Sequence, residues 1–306
     1  MSPSDADPAR GAFVRTQVAA LRRAGGVDVE LYEFRPRDYL RAARELRRMR
    51  GFDVVHAHFG LTAWPALAVR GTRRAVTLHG TDVRHPRSWA ITRAALGRMD
   101  LVAAASAELA ALVRERRPGI EVKVLPAGVD LGRFGPLDRA DCRARLGLDT
   151  GARLALFPAD PGRPEKRADR AREAAAAAGA QLLTLGHVQP DDVPTWVNAA
   201  DVVLVPSDRE GFGLAVLEAL ACDVPVLATP VGVHPEALDG VAGTVCAPFD
   251  AETWAQAMAA APPRIDGRER AARWGADAMA QRVIAAWRSL VDSTPEAPAS
   301  GAAAVS

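Results

Sequence analysis

The chain has 306 residues, 49% of them apolar and 25% charged, with a formal net charge of +2. That is the usual mix for a globular protein large enough for two cores, and the lack of any 18-residue apolar run excludes a membrane-spanning helix. Cys142, Cys222 and Cys246 are too scattered for a metal-ligand spacing. The N-terminus also lacks the basic-then-apolar layout of a secretory signal, so a cytoplasmic location is expected.

In chain order, ten polar, Pro- and Ala-containing residues precede a helical pattern over 13–23. Strand-like apolar runs follow at 27–34, 54–59, 75–78, 101–105 and 122–125, with helical patterns at 39–50 and 107–116. The glycines and proline of 128–136 then interrupt any regular element. A second series of strand-like runs occupies 154–157, 181–185, 202–206, 224–228 and 244–246, alternating with helical patterns at 167–178, 214–221 and 251–260. Such alternation predicts βαβ units and parallel sheets covered on both faces. The expected organisation is an N-terminal α/β domain at 1–131 and a C-terminal one at 132–274. An amphipathic helix at 275–291 and a disordered tail at 292–306 complete it. Before the first helix no strand is expected, where a doubly wound domain normally opens with one.

Charge is unevenly placed. Residues 1–131 hold 22 Lys and Arg against 14 Asp and Glu, which leaves the remainder acidic and supports two domains. Arg35, Arg37, Arg41, Arg44, Arg47, Arg48 and Arg50 crowd one stretch, with Leu40, Leu46 and Met49 giving it a weak apolar side. A solvated surface helix is the simpler reading, and contact with an anionic membrane surface or acceptor is the other. Aromatic residues are few (5%) and not interleaved with this stretch, so no nucleic-acid partner is expected.

Three groups of residues can carry chemistry. The loop Pro206-Ser-Asp-Arg-Glu-Gly-Phe-Gly213 joins a strand to a helix opening at Leu214. There Gly211 and Gly213 let a backbone approach a phosphate closely, and the helix N–H groups face it. Glu210 and Glu218 can each accept from sugar or ribose hydroxyls. These features describe a phosphate-and-polyol site, in competition with two solvated glutamates. A second post-strand loop holds Arg163 and Lys166, which can grip a diphosphate or be plain surface charge. His56, His58 and His79 end strands in the first half and should lie at the carboxyl edge of its sheet. No GxGxxG, GxxxxGK[ST] or G-x-S-x-G pattern follows a strand.

Taken together these residues resemble glycosyltransferase family 4, of the group 1 type found in actinobacteria. The resemblance rests on Ser207 to Gly232, which contains Glu210 and Glu218 with seven residues between them, the E-x7-E pattern. It also rests on Val55-His-Ala-His-Phe-Gly60, Thr77-Leu-His-Gly-Thr-Asp82, the segment 126–134 and Gly162-Arg-Pro-Glu-Lys166. It implies the GT-B fold: two Rossmann-like, doubly wound parallel-sheet domains with a cleft between them. It further implies a retaining hexosyltransferase that uses a UDP- or GDP-sugar, with no metal and no cofactor, because the nucleotide-sugar is a substrate. Arg163 and Lys166 would neutralise the departing diphosphate. Glu218 would hold the ribose, and Glu210 with Gly211, Phe212, Gly213 and Leu214 would hold the sugar. Gly186 and His187 would border the base, His79 would reach the sugar from the other domain, and Gly11, His56 and His58 would face the acceptor. The acceptor itself, a sugar, lipid or small molecule, is left open.

Three departures from the family pattern stand out: Ala127 in place of a common Asn, Ala159-Asp-Pro-Gly before Arg163, and the missing first strand. The last keeps a rival in view, a nucleotide-sugar-binding protein with an incomplete acceptor side and little transfer. A phosphorylase is disfavoured, since Lys123 and Lys166 are the only lysines and neither suits pyridoxal phosphate.

Overall fold

A computed structural model describes residues 11–186 and 188–292. Two parallel sheets organise the chain. In the first, β1 (Val54–His58), β2 (Arg73–Leu78), β3 (Leu101–Ala104) and β4 (Lys123–Val124) lie side by side in sequence order. In the second, β5 (Leu154–Phe157), β6 (Gln181–Thr184), β7 (Val202–Val205), β8 (Val226–Ala228) and β9 (Val245–Cys246) take the order β6-β5-β7-β8-β9. Every strand pair is parallel, so the strands of each sheet end at one edge. β3, β5, β7 and β8 are buried along their whole length, as sheets covered on both faces require. In the second sheet the chain reverses direction between β5 and β7. A reversal of that kind opens a crevice at the strands' carboxyl ends.

One expected strand does not form. Residues 27–34 take no regular secondary structure and pair with no other segment among the described residues. Their alternating pattern still turns Val27 and Val29 inward, against Ala20, Leu21 and Met279. A strand also needs a ladder partner, and β1 stands at its sheet's edge. Arg22 takes over part of that role by donating Nε and Nη2 to the Val29 carbonyl at 3.2 and 2.9 Å. The helix expected over 39–50 forms only at Tyr39–Leu46. Its weak apolar side also divides, because Leu40 is 78% exposed whereas Leu46 is buried with Ala42. Six residues is about 240° of helical turn, which puts Leu40 and Leu46 on different faces. Among the described residues, no helix is long and apolar enough to cross a membrane.

The chain crosses between the sheets twice, and the two crossings touch. Val129 N donates to Trp274 O at 2.9 Å and Ala276 N to Val129 O at 2.8 Å. The close pass leaves no room for a side chain at Gly128, whose Cβ would lie 2.7 Å from Ala276 Cα. The final helix, Ala276–Asp292, then packs Met279, Ala280, Val283 and Ile284 against Ala20 and Leu21 of the first helix, Ala12–Ala24. Ala286 and Leu290 reach the first sheet at Ala75, Leu101, Ala103 and Leu125. Asp292 closes this helix rather than opening a tail, and the rest of the expected tail lies outside the described residues.

Candidate active site

The loops after β5 and β7 meet at the point where the second sheet reverses. Lys166, in the single turn Pro164–Lys166, puts its ammonium 2.7 Å from both carboxylate oxygens of Glu210. Ser207 Oγ donates to Glu210 Oε1 at 2.8 Å. Burial alone would raise the Glu210 pKa, but the Lys166 charge and the hydrogen bonds from Lys166 and Ser207 hold it below the ordinary value. A further backbone bond, Asp208 N to Glu165 O at 3.0 Å, ties the two loops together. Lys166 carries three N–H donors, so this fork leaves one for a ligand.

Arg163 behaves differently. Its Nε and Nη2 both hydrogen-bond Glu165 Oε1, at 2.9 and 2.6 Å, and its side chain is 55% exposed. The two cations of this loop are therefore not a symmetrical clamp.

Glu218 lies in the second turn of the helix Leu214–Ala221, which follows the Glu210 loop. It retains some solvent exposure yet is crowded by protein atoms. Its carboxylate accepts no hydrogen bond among the described residues. Burial lifts its pKa to about 7, against the opposing pull of Arg133 and Lys166. The helix opens at Gly213, with φ 111° and no side-chain cap, so its first N–H groups are available. A Cβ at Gly213 would lie 2.6 Å from His234 Nε2. His234 itself is fully buried; Nδ1 donates to Thr229 O at 2.9 Å, while Nε2 has no partner among the described residues.

Phe212 is buried and Leu214 packs on the same core. Gly186 adjoins the β5 loop, where a Cβ would come within 3.3 Å of Pro161. His187 lies outside the described residues. A cavity of about 520 Å³ opens at the hinge beside Arg23, Arg133 and Gly275, and none of Lys166, Glu210, Glu218 or His79 lines it.

From the first sheet, His79 reaches this loop through its backbone. A methyl group on Gly211 would run into the His79 carbonyl oxygen, so the halves meet backbone to backbone. Glu108 adds a second contact by accepting from Gly232 N at 3.0 Å. Asp82 holds the histidine loop: its buried carboxylate accepts from Gly80 N at 2.8 Å, Gly60 N at 2.9 Å and His79 N at 3.1 Å. The ends of β1 and β2 are thereby tied to one side chain.

The three histidines form a stack. The His56 and His58 rings lie 4.9 Å apart and the His58 and His79 rings 5.3 Å apart. Trp287 Nε1 donates to His56 Nδ1 at 3.0 Å, and His56 Nε2 meets Thr77 Oγ1 at 2.8 Å. Both His56 nitrogens are thus engaged inside the protein. Burial depresses all three pKa values, to about 4 for His56, about 3 for His79 and well below the ordinary value for His58. These rings are neutral at pH 7. Gly11 is buried at the N-cap of the first helix with φ 72°, and Phe13 in that helix's first turn packs 4.5 Å from the His79 ring.

Ser207, Asp82, Glu108, His234 and Trp287 were given no role from sequence. Ser207 and Asp82 sit inside the motifs quoted for Glu210 and His79, so their proximity was a usable signal. The Trp287–His56 bond spans 231 residues and leaves no local trace.

Comparison with known proteins places the chain in a family. Residues 2–133 match the family described as Glycosyltransferase Family 4, and residues 149–261 that described as Glycosyl transferases group 1. A D-inositol 3-phosphate glycosyltransferase of Saccharomonospora viridis is 32% identical over 79% of this chain and 68% of its own length. The chain belongs to glycosyltransferase family 4. A relative of the same description from Segniliparus rotundus is 33% identical over 58% of this chain. That match spans about half of the relative, 49% of its length. Among solved structures, the Anabaena HepE protein in complex with UDP-glucose superposes with a TM-score of 0.71 at 18% identity, covering 94% of this chain and 98% of that one. Sucrose-phosphate synthase from Thermosynechococcus elongatus gives 0.69 at 20% identity, covering 96% and 98%. The family 4 chain therefore has the GT-B fold.

Proposed function

We propose that this family 4 chain transfers a hexosyl group from a UDP- or GDP-sugar with retention of anomeric configuration and without a metal. The acceptor would belong to cell-envelope, glycolipid, polysaccharide or small-molecule glycoside synthesis. The observation that carries this reading is the Lys166–Glu210 pair at the reversal point of the second sheet, with Glu218, unpartnered among the described residues, on the helix that follows. The third Lys166 donor and the uncapped helix N-terminus suit a departing diphosphate. The Glu210 carboxylate keeps acceptor capacity for a sugar hydroxyl, and Glu218 offers both oxygens to a ribose. His79 meets the sugar from the facing half. In a retaining reaction of this type the acceptor attacks on the face the nucleoside diphosphate is leaving. Stabilising that leaving group by fixed cations is then the main catalytic contribution. Closure about the paired crossings would exclude water.

A thermal-shift screen of UDP-, GDP-, ADP- and TDP-sugars tests the donor, with UDP-glucose, the ligand of the Anabaena fold neighbour, as first probe. One nucleotide class should raise Tm, and Glu218→Ala should weaken that rise. A flat response to all of them refutes the donor site. Turnover is then assayed against acceptors that include D-inositol 3-phosphate, after the named relatives. Binding without turnover would favour the rival reading as a nucleotide-sugar-binding protein.

The exposed Arg41, Arg44, Arg47 and Arg48 around Leu40 support weak, salt-sensitive attachment to the inner face of an anionic membrane. Sedimentation with anionic vesicles at low and high salt checks this; no pelleting at low salt would refute it.

A further inference from the structure

We propose that Gln17, acting through His58, fixes the proton of His79 on Nδ1 and so makes His79 a neutral hydrogen-bond donor. Gln17 sits on the first helix and is 8% exposed. Its amide nitrogen, which can only donate, lies 3.4 Å from His58 Nε2. The His58 Nε2 lone pair is therefore the acceptor, and a neutral His58 carries its proton on Nδ1. His58 Nδ1 lies 3.1 Å from His79 Nε2, so the same reasoning makes His58 the donor and His79 Nε2 the acceptor. The His79 proton is left on Nδ1, which has no partner among the described residues.

Three surroundings keep this order in place. His56 stacks on His58 at 17° between planes, and His56 is itself pinned by Trp287 and Thr77. Since an indole N–H only donates, His56 accepts at Nδ1 and gives its Nε2 proton to Thr77. Phe13 and Phe59, with ring centroids 4.5 and 4.8 Å from that of His79, wall it with apolar surface. Charging His58 would place a cation between two neighbouring rings, and burial disfavours charge on all three, so the neutral ladder is the stable form.

The chemical meaning rests on the transferase reading above. An imidazole that presents N–H can donate to an oxygen of the donor sugar but cannot take a proton from the acceptor. Gln17 is then a positioning residue: it acts through His58 and sets what His79 offers.

The test reads the ring protons directly and needs no substrate. In histidine labelled with ¹⁵N, long-range proton–nitrogen correlation spectra separate Nδ1–H from Nε2–H tautomers, and His79→Asn assigns the His79 signals by their loss. The wild-type chain should show His79 as a single Nδ1–H tautomer. Gln17→Glu presents an acceptor in place of the donor, so His58 must protonate at Nε2, and His79 should switch to Nε2–H. Gln17→Met removes the donor without adding charge and should give a mixture of both tautomers, which keeps the test valid if the glutamate variant does not fold. A wild-type His79 proton on Nε2 would mean that Gln17 turns its carbonyl oxygen to His58, and would overturn the proposal. So would a Gln17→Met spectrum identical to wild type. Because the readout is independent of turnover, the ladder can stand if the donor assignment fails, and the reverse also holds.

Discussion

Each sheet carries a cluster of polar side chains at its strand ends, and the two clusters handle burial in opposite ways. At the second sheet the Lys166 ion pair and the hydrogen bonds from Lys166 and Ser207 hold the Glu210 pKa below its ordinary value despite burial. On the facing side His56, His58 and His79 give up charge and keep only directed hydrogen bonds. A departing diphosphate is met best by fixed positive charge, whereas hydroxyl groups are told apart best by neutral donors and acceptors of known direction. Under the proposed function, the two halves would divide these two tasks between them.

Breaking the charged cluster should have the largest effect. Lys166→Ala leaves the Glu210 carboxylate buried with Ser207 as its main partner. Removing one member of a buried pair costs about 3–5 kcal/mol. Unfolding in urea should show that loss together with a fall in turnover of about a hundredfold or more. The double variant Lys166→Ala, Glu210→Gln should recover part of the stability and none of the activity. A single variant as stable as wild type would break the contrast.

The neutral cluster should show itself through pH. Imidazoles whose folded pKa lies near 3 or 4 stabilise the fold above their unfolded value of 6.5, and that contribution is lost as pH falls below it. Each can contribute a slope of up to about 1.4 kcal/mol per pH unit. Glu218 works the other way. Its folded pKa of about 7 exceeds the unfolded 4.5, so its share of stability is full below pH 4.5 and is lost as pH rises through 7. Between pH 6.5 and 4.5 the three stacked imidazoles, joined by the similarly depressed His234, oppose Glu218, and net stability should fall on acidification. Glu218→Gln removes the opposing contribution and should steepen the fall. Urea midpoints at pH 5, 6, 7 and 8 would show it, and a flat wild-type profile would rule out the buried neutral stack.

The smallest effect is expected at Arg163. An exposed guanidinium bonded to its neighbour Glu165 contributes little, about 0.5 kcal/mol or less. Arg163→Ala should leave Tm nearly unchanged and raise the donor KM only a few-fold. A loss as large as that of Lys166→Ala would show that both cations act as one clamp.

Much of this was legible in the sequence. The second sheet was visible because each of its strands is an apolar run bounded by Gly, Pro or charged residues, and Leu214–Ala221 formed at its expected limits. The loops holding Lys166 and Glu210 could be placed from their strands alone. Residues 27–34 failed because alternation reports which side chains turn inward, not whether a neighbouring strand is there to pair. Arg163 and Lys166 looked equivalent on a loop, but the turn Pro164–Lys166 carries one inward and leaves the other in solvent. The bonds from Gln17 to His58 and from Trp287 to His56 join residues 41 and 231 apart, beyond the reach of any local pattern.

The meeting of Gly211 with the His79 carbonyl has a mechanical side. Two main chains in contact form a hard stop, and no rotamer change can soften it. That stop limits how far the halves can fold together and, under the proposed function, would set the gap across which the acceptor reaches. Reacting atoms need to come within about 3–3.5 Å of each other. A single methyl at position 211 would be a wedge in the jaw: both half-sites would remain whole, and the distance between them would be wrong.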